Sequence, residues 1–165
     1  MLQTQNVVSN TSTFTNNEVT IFTVETQPNL TQQAVFALEN NFGNRCSYLS
    51  GQWFLGNYLY ITANLPNNFT NIGYNQKTFL KRNPTSNLPA IKVKGSYQSL
   101  TYANSFTGAT FNQTFAIGGV PGALPAFPYI QPNIFPFIGN IAEILWYNRG
   151  LSDYEIVAVE GYLAK

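Results

Sequence analysis

Histidine is missing from this chain, while cysteine and aspartate occur once each, as Cys46 and Asp153. Without histidine, no Ser-His-Asp or Cys-His arrangement can form, and the commonest general base is gone. One cysteine cannot build a zinc site or an internal disulfide, so Cys46 reads as a buried free thiol. One aspartate leaves a calcium loop short of its usual carboxylates, and neither a metal nor a cofactor is expected. Charge of either sign is scarce. Asp, Glu, Lys and Arg make up 9% of the 165 residues, with a net charge of +1, where about 25% is ordinary for a soluble domain. Asparagine, glutamine and threonine fill the gap, and aromatics reach 15%. So little charge gives weak protection against association and suits a surface that packs against neighbours.

Two further absences concern membranes and export. The apolar stretch Val120–Ile138 is interrupted by Pro121, Pro125, Pro128, Pro132 and Pro136, which no membrane-spanning helix tolerates together. The opening Met1-Leu2-Gln3-Thr4-Gln5 has no basic start and no apolar run, so no export signal is expected. Residues 1–17 read as a polar N-terminal arm and residues 18–165 as one domain, long enough to bury its own core.

What is present is mostly β-pattern. Val19–Thr26 is β-branched and aromatic, the profile of a pleated, partly buried strand. Ala34–Leu38, Trp53–Thr62, Lys77–Leu80, Ala90–Lys94, Tyr97–Ala103 and Gln113–Ile117 are the next strand candidates, separated by Asn, Pro and Gly clusters. In Ala90–Lys94 the alternation predicts Ile91 and Val93 inward, with Lys92 and Lys94 outward. Many short strands and one late helix argue a two-sheet antiparallel sandwich or jelly roll.

The late helix has its own start signal. Ser152 and Glu155 form a capping box, and Leu151 and Ile156 occupy the positions of a hydrophobic staple. Asp153 and Glu155 complement the helix dipole. Ile156, Val159 and Leu163 form the apolar stripe, flanked by Tyr154, Ala158 and Tyr162. The run from Gly139-Asn140-Ile141-Ala142-Glu143-Ile144 through Tyr147-Asn148-Arg149-Gly150-Leu151-Ser152-Asp153 to Lys165 resembles the closing segment of laminin-G-like domains, within the concanavalin A-like lectin and glucanase superfamily. Ile91-Lys92-Val93-Lys94-Gly95 and Phe115-Ala116-Ile117-Gly118-Gly119 resemble two earlier strands of the same family, with lysine in place of the usual asparagine before Gly95. The resemblance implies an all-β concanavalin A-like jelly roll with one short C-terminal helix.

Between the last two of those segments lies a departure from the family. From Gly95 to Ala142 the chain has no Asp, Glu, Lys or Arg, and Pro125–Phe137 packs prolines among Phe127, Tyr129, Phe135 and Phe137. Two readings stay open. Either the segment folds over its own sheet, or its aromatics form a contact surface. Trp53 and Tyr58, with Tyr60 nearby, are the other candidate ligand or interface aromatics. Lys77, Lys81, Arg82, Lys92 and Lys94 put five bases within eighteen residues, a candidate polyanion-binding set. More often such lysines are the solvated face of two strands or edge protection.

Catalysis is not expected. The glycosidases of the superfamily need two carboxyl groups across a cleft and carry a Glu-x-Asp-x-Glu type run absent here. A nucleic-acid partner is not favoured, since five bases make a light phosphate footprint and no binding motif accompanies them. The composition points first to a non-enzymatic structural or interaction protein, a virion surface or minor capsid component contacting other protein chains. The alternative is a carbohydrate-binding lectin module for neutral or sulphated glycans, in an extracellular or cell-surface setting.

Overall fold

The β-branched run at the start of the domain forms a central strand, and most later elements are laid down as antiparallel neighbours. The computed structural model describes residues 12–14, 18–26, 34–39, 44–49, 52–57, 59–63, 74–82, 89–102, 111–113, 115–118 and 137–165. The strands are β1 (Ser12–Phe14), β2 (Val19–Thr26), β3 (Ala34–Glu39), β4 (Asn44–Leu49), β5 (Gln52–Asn57), β6 (Leu59–Ala63), β7 (Asn75–Lys81), β8 (Ala90–Val93), β9 (Ser96–Tyr97), β10 (Leu100–Tyr102), β11 (Phe111–Gln113), β12 (Phe115–Ile117) and β13 (Asn140–Tyr147). One helix, α1 (Asp153–Leu163), follows. The domain is therefore all-β with one short C-terminal helix. No described helix is long and apolar enough to cross a membrane.

The chain divides into two compact units. One comprises Met1–Thr15, Leu30–Thr62 and Tyr102–Ile138, the other Asn16–Asn29, Ala63–Thr101 and Gly139–Lys165. In the first, β3, β4 and β5 are consecutive antiparallel neighbours, with β6 beside β5 and β12 beside β3. The expected single strand Trp53–Thr62 is instead the hairpin β5–β6, with Leu55 opposite Leu59. Gly56 and Asn57 end β5, still paired with Arg45 and Asn44 of β4, and the apolar alternation on either side conceals the reversal that follows. Within the expected arm, Ser12–Phe14 pairs antiparallel with β11. Cys46 lies on β4, opposite Leu38 and Leu55.

The second unit is a five-stranded antiparallel sheet in the order β13-β2-β7-β8-β9, carrying α1. Side chains of β2 alternate between two faces, and both are buried. On one, Phe22 and Leu80 join Leu151 and Ile156 in a core cluster, with Ala90, Leu145, Tyr147, Val159 and Leu163 packed against it. Phe22 meets Tyr147 edge to face, ring centres 5.9 Å apart. The other face buries Ile21, Phe79, Ile91 and Val93. Because α1 covers the first face, Lys92 is buried along with Ile91 and Val93. This departs from the outward position that alternation predicts, and the helix supplies an anion for it.

The turn from β13 into α1 is held from three directions. Thr20 Oγ1 donates to the Arg149 carbonyl and accepts from the Leu151 N–H, each at 2.9 Å. Arg82 Nε donates to the Leu151 carbonyl at 2.7 Å, and its guanidinium pairs with Asp153. Gly150 is required here, since a Cβ would stand 2.8 Å from Arg82 Cγ and 3.0 Å from Arg82 Cα. The capping box is present in full. Ser152 Oγ accepts from the Glu155 N–H, and the Glu155 carboxylate accepts from the Ser152 N–H at 2.8 Å. Arg149 adds a two-pronged contact to the same carboxylate, at 2.7 and 3.1 Å.

These donors, Arg149 first and then Ser152, hold the Glu155 carboxyl at about 2, well below the usual carboxylate range. A depressed folded-state value gives stability that is present above the unfolded value near 4.3 and lost as pH falls towards 2. Glu155→Gln is therefore expected to be less stable than the parent protein at pH 6, with the difference narrowing between about pH 4 and 2. Urea titrations across that range check this, and a pH-independent difference would refute it.

Candidate functional site

Of the aromatic candidates, Tyr58, Phe127, Tyr129 and Phe135 lie outside the described residues. Trp53 is placed on β5 opposite Tyr48 and Ile61. Phe137 is half-buried and its N–H donates to the Gly118 carbonyl at 3.0 Å.

The five basic candidates divide by environment. Lys77 is fully buried and paired with Glu25, itself fully buried on the neighbouring strand. Thr23 Oγ1 and the second oxygen of Glu25 are buried there without a hydrogen-bond partner among the described residues. Arg82 clamps the start of α1 through Leu151 and Asp153, and holds the Asp153 carboxyl below its ordinary value. Lys92 is paired with Glu160 at 2.7 Å. Lys81 ends β7 opposite Val19, while Lys94 is exposed in the β8–β9 turn. Three of the five charges thus face an acid within the protein.

The surface past the C-terminal end of α1 presents a different group of residues. Thr78, Lys92 and Tyr97 are successive cross-strand partners on β7, β8 and β9, so their side chains share the helix-bearing face. Glu160 descends onto this row, accepting from Thr78 Oγ1 at 2.8 Å and from Lys92 Nζ at 2.7 Å. Lys92 Nζ also lies 5.5 Å from the centre of the Tyr97 ring, within reach of a cation–π contact. Two residues back along β7 on the same face is Gln76, and the exposed Tyr74 immediately precedes the strand. The Lys94 N–H donates to the Gln76 carbonyl at 2.9 Å, which fixes the turn beside this strip. Lys94 and Gly95 have φ of 48° and 77°, as a tight hairpin turn requires. That left-handed position is why asparagine would suit residue 94 as well as lysine does.

The strip has two tyrosines at its ends, Tyr97 at 59% and Tyr74 at 56% exposure. From the sheet spacings they stand about 16 Å apart. Between them lie Gln76, whose Nε2 is buried without a partner among the described residues, and the exposed Lys94. Sequence reasoning passed over Tyr74, Gln76 and Tyr97, since single exposed tyrosines on strand ends carry no local signal. The strip can stack a planar or CH-rich ligand face on its rings and offer the Lys94 ammonium as a donor. Its one acid, Glu160, is already engaged by two donors. Among the described residues no three His, Cys, Asp or Glu side chains gather as metal ligands.

No family model and no curated protein matches the chain. Solved structures do. A point mutant of the NanB sialidase from Streptococcus pneumoniae superposes with a TM-score of 0.59 at 18% identity, over 90% of this chain and 26% of that one. The same sialidase in complex with 2-[(3-chlorobenzyl)ammonio]ethanesulfonate gives 0.55 at 14% identity, over 91% and 26%. The likeness is one of fold, and this chain spans about a quarter of the length of the sialidase chains it matches.

The Glu25–Lys77 pair makes a test of its own. Lys77→Met leaves a buried carboxylate uncompensated and is expected to cost about 3–5 kcal/mol, while Lys77→Met with Glu25→Leu recovers most of that loss. Equilibrium urea unfolding of the three proteins measures both effects, and a single variant as stable as the parent would remove the pair from the account.

Proposed function

We propose that this chain is a carbohydrate-binding module, a non-catalytic β-sandwich of the concanavalin A-like, laminin-G-like type that holds glycans without cleaving them. The observation that carries this reading is the pair of exposed rings Tyr97 and Tyr74, with the exposed Lys94 between them. Sugars bind by laying CH-rich faces on aromatic rings and exchanging hydrogen bonds with amides and ammonium groups. The fold likeness supports it, because the matching region belongs to a sialidase, an enzyme named for acting on glycans, and makes up 26% of that chain.

The state of the acids supports a binding role over hydrolysis. Glycoside cleavage needs two carboxyl groups facing a sugar. Here Glu25, Asp153, Glu155 and Glu160 each face a lysine or arginine, and Glu143 accepts from the Tyr162 hydroxyl at 3.3 Å. Trp53, Tyr58, Phe127, Tyr129, Phe135 and Phe137 stay in the proposal as further ligand contacts, with Lys81 and Lys94 as contacts for an acidic sugar. The virion or capsid role expected from composition, with other protein chains as partners, draws no support from the fold comparisons. An extracellular or cell-surface setting suits the sugar reading better.

A glycan array probed with the parent protein is expected to give hits in a limited set of related structures. Tyr97→Ala and Tyr74→Ala are each expected to weaken the best hit about tenfold by calorimetry, the order of one ring contact. An empty array, or affinities unchanged in both variants, would overturn the reading.

A further inference from the structure

The helix is apolar on the side that faces away from the sheet as well as on the side that packs. Tyr154, Val157 and Tyr162 are 86%, 63% and 58% exposed, and Ala158 and Gly161 between them are exposed too. Each charged side chain of α1 is turned to a partner in its own unit: Asp153 to Arg82, Glu155 to Arg149, Glu160 to Lys92. The outward face is left without a charge of its own. A contiguous exposed apolar patch marks a contact surface.

We infer that this face is a homodimer contact, α1 of one copy lying antiparallel on α1 of a second. Three features select a second copy as the occupant. The first is shape. Tyr154 and Gly161 stand seven residues, about 10.5 Å, apart on one face. A two-fold axis between Val157 and Ala158 seats each Tyr154 against the other copy's Gly161 and each Val157 against its Ala158, bulk to notch. The second is charge. An uncharged face meets itself without repulsion, and the antiparallel sense keeps the two exposed Lys165, just past the helix, at opposite ends of the contact. A parallel arrangement would set the two Lys165 side by side. The third is area. Two tyrosines, a valine and the small residues supply roughly 400–500 Å² per copy. The total, about 800–1,000 Å², lies in the range of weak reversible associations. The net charge of +1 over the whole chain adds little long-range repulsion.

The contact does not depend on the sugar-binding reading, and neither stands or falls with the other. Two linked copies would present two sugar strips, which raises avidity for a clustered ligand.

Sedimentation of the full chain between about 1 and 500 μM is expected to show the mass rising from 18.4 kDa towards twice that value, with a Kd of roughly 10–100 μM. Val157→Glu, Tyr154→Glu and Gly161→Leu are each expected to weaken the dimer at least tenfold. No heavy atom lies within 4 Å of a Cβ placed at Gly161, so Gly161→Leu tests the contact without disturbing the fold, and a melting temperature at or above the parent's confirms that. A mass of 18.4 kDa at every concentration, or a dimer indifferent to both Val157→Glu and Gly161→Leu, overturns the proposal.

Discussion

Most of what the five-stranded sheet presents to solvent depends on how α1 is seated. Leu151 and Ile156 enter the cluster around Phe22 and Leu80, and burying these side chains is worth about 1.5–3 kcal/mol each. That gain needs the chain to leave β13 at one defined angle. Thr20, with its hydroxyl donating to one turn carbonyl and accepting from the next amide, sets the angle, and Arg82 holds it from the neighbouring strand. The lack of a side chain at Gly150 lets Arg82 come close enough to do so. The capping box then starts the helix without unsatisfied donors at its first turn.

Once seated, the helix decides which sheet residues remain available. It brings Glu160 over Thr78 and Lys92, converting a strand lysine that would otherwise be solvated into a buried structural cation. That cation lies beside the Tyr97 ring. The tyrosine strip is thus bounded on one side by a fixed ion pair and on the other by the Lys94–Gly95 turn. The same seating leaves the opposite side of the helix bare. Burial of one apolar stripe and exposure of another are consequences of one docking event.

The scarcity of charge takes on a more specific meaning in this light. In the second unit, most described acids and bases are arranged as one-to-one pairs. Such pairs hold register and helix position. The long segment without any charge, Gly95–Ala142, adds no further acid or base. In the proposed sugar-binding role, contact rests on ring faces and hydrogen-bonding side chains more than on charge.

The all-β class, the bounds of Val19–Thr26, the capped helix at Ser152 and its inward stripe of Ile156, Val159 and Leu163 were legible from the chain alone. Each depends on residues within a turn or two of one another, where alternation, capping and glycine chemistry act. The β5–β6 reversal and the strand Asn44–Leu49 escaped, because apolar alternation ran across a turn in one and polar residues masked a strand in the other. Only tertiary structure decided the fates of the bases. Lys77 meets Glu25 across 52 residues of sequence, Lys92 meets Glu160 across 68, and Arg82 meets Asp153 across 71. Sheet register and helix docking make those partners neighbours, and no local pattern encodes a distance in space. The same holds for Tyr74 and Tyr97, brought to one surface by the pairing of β7, β8 and β9 rather than by anything in the residues between.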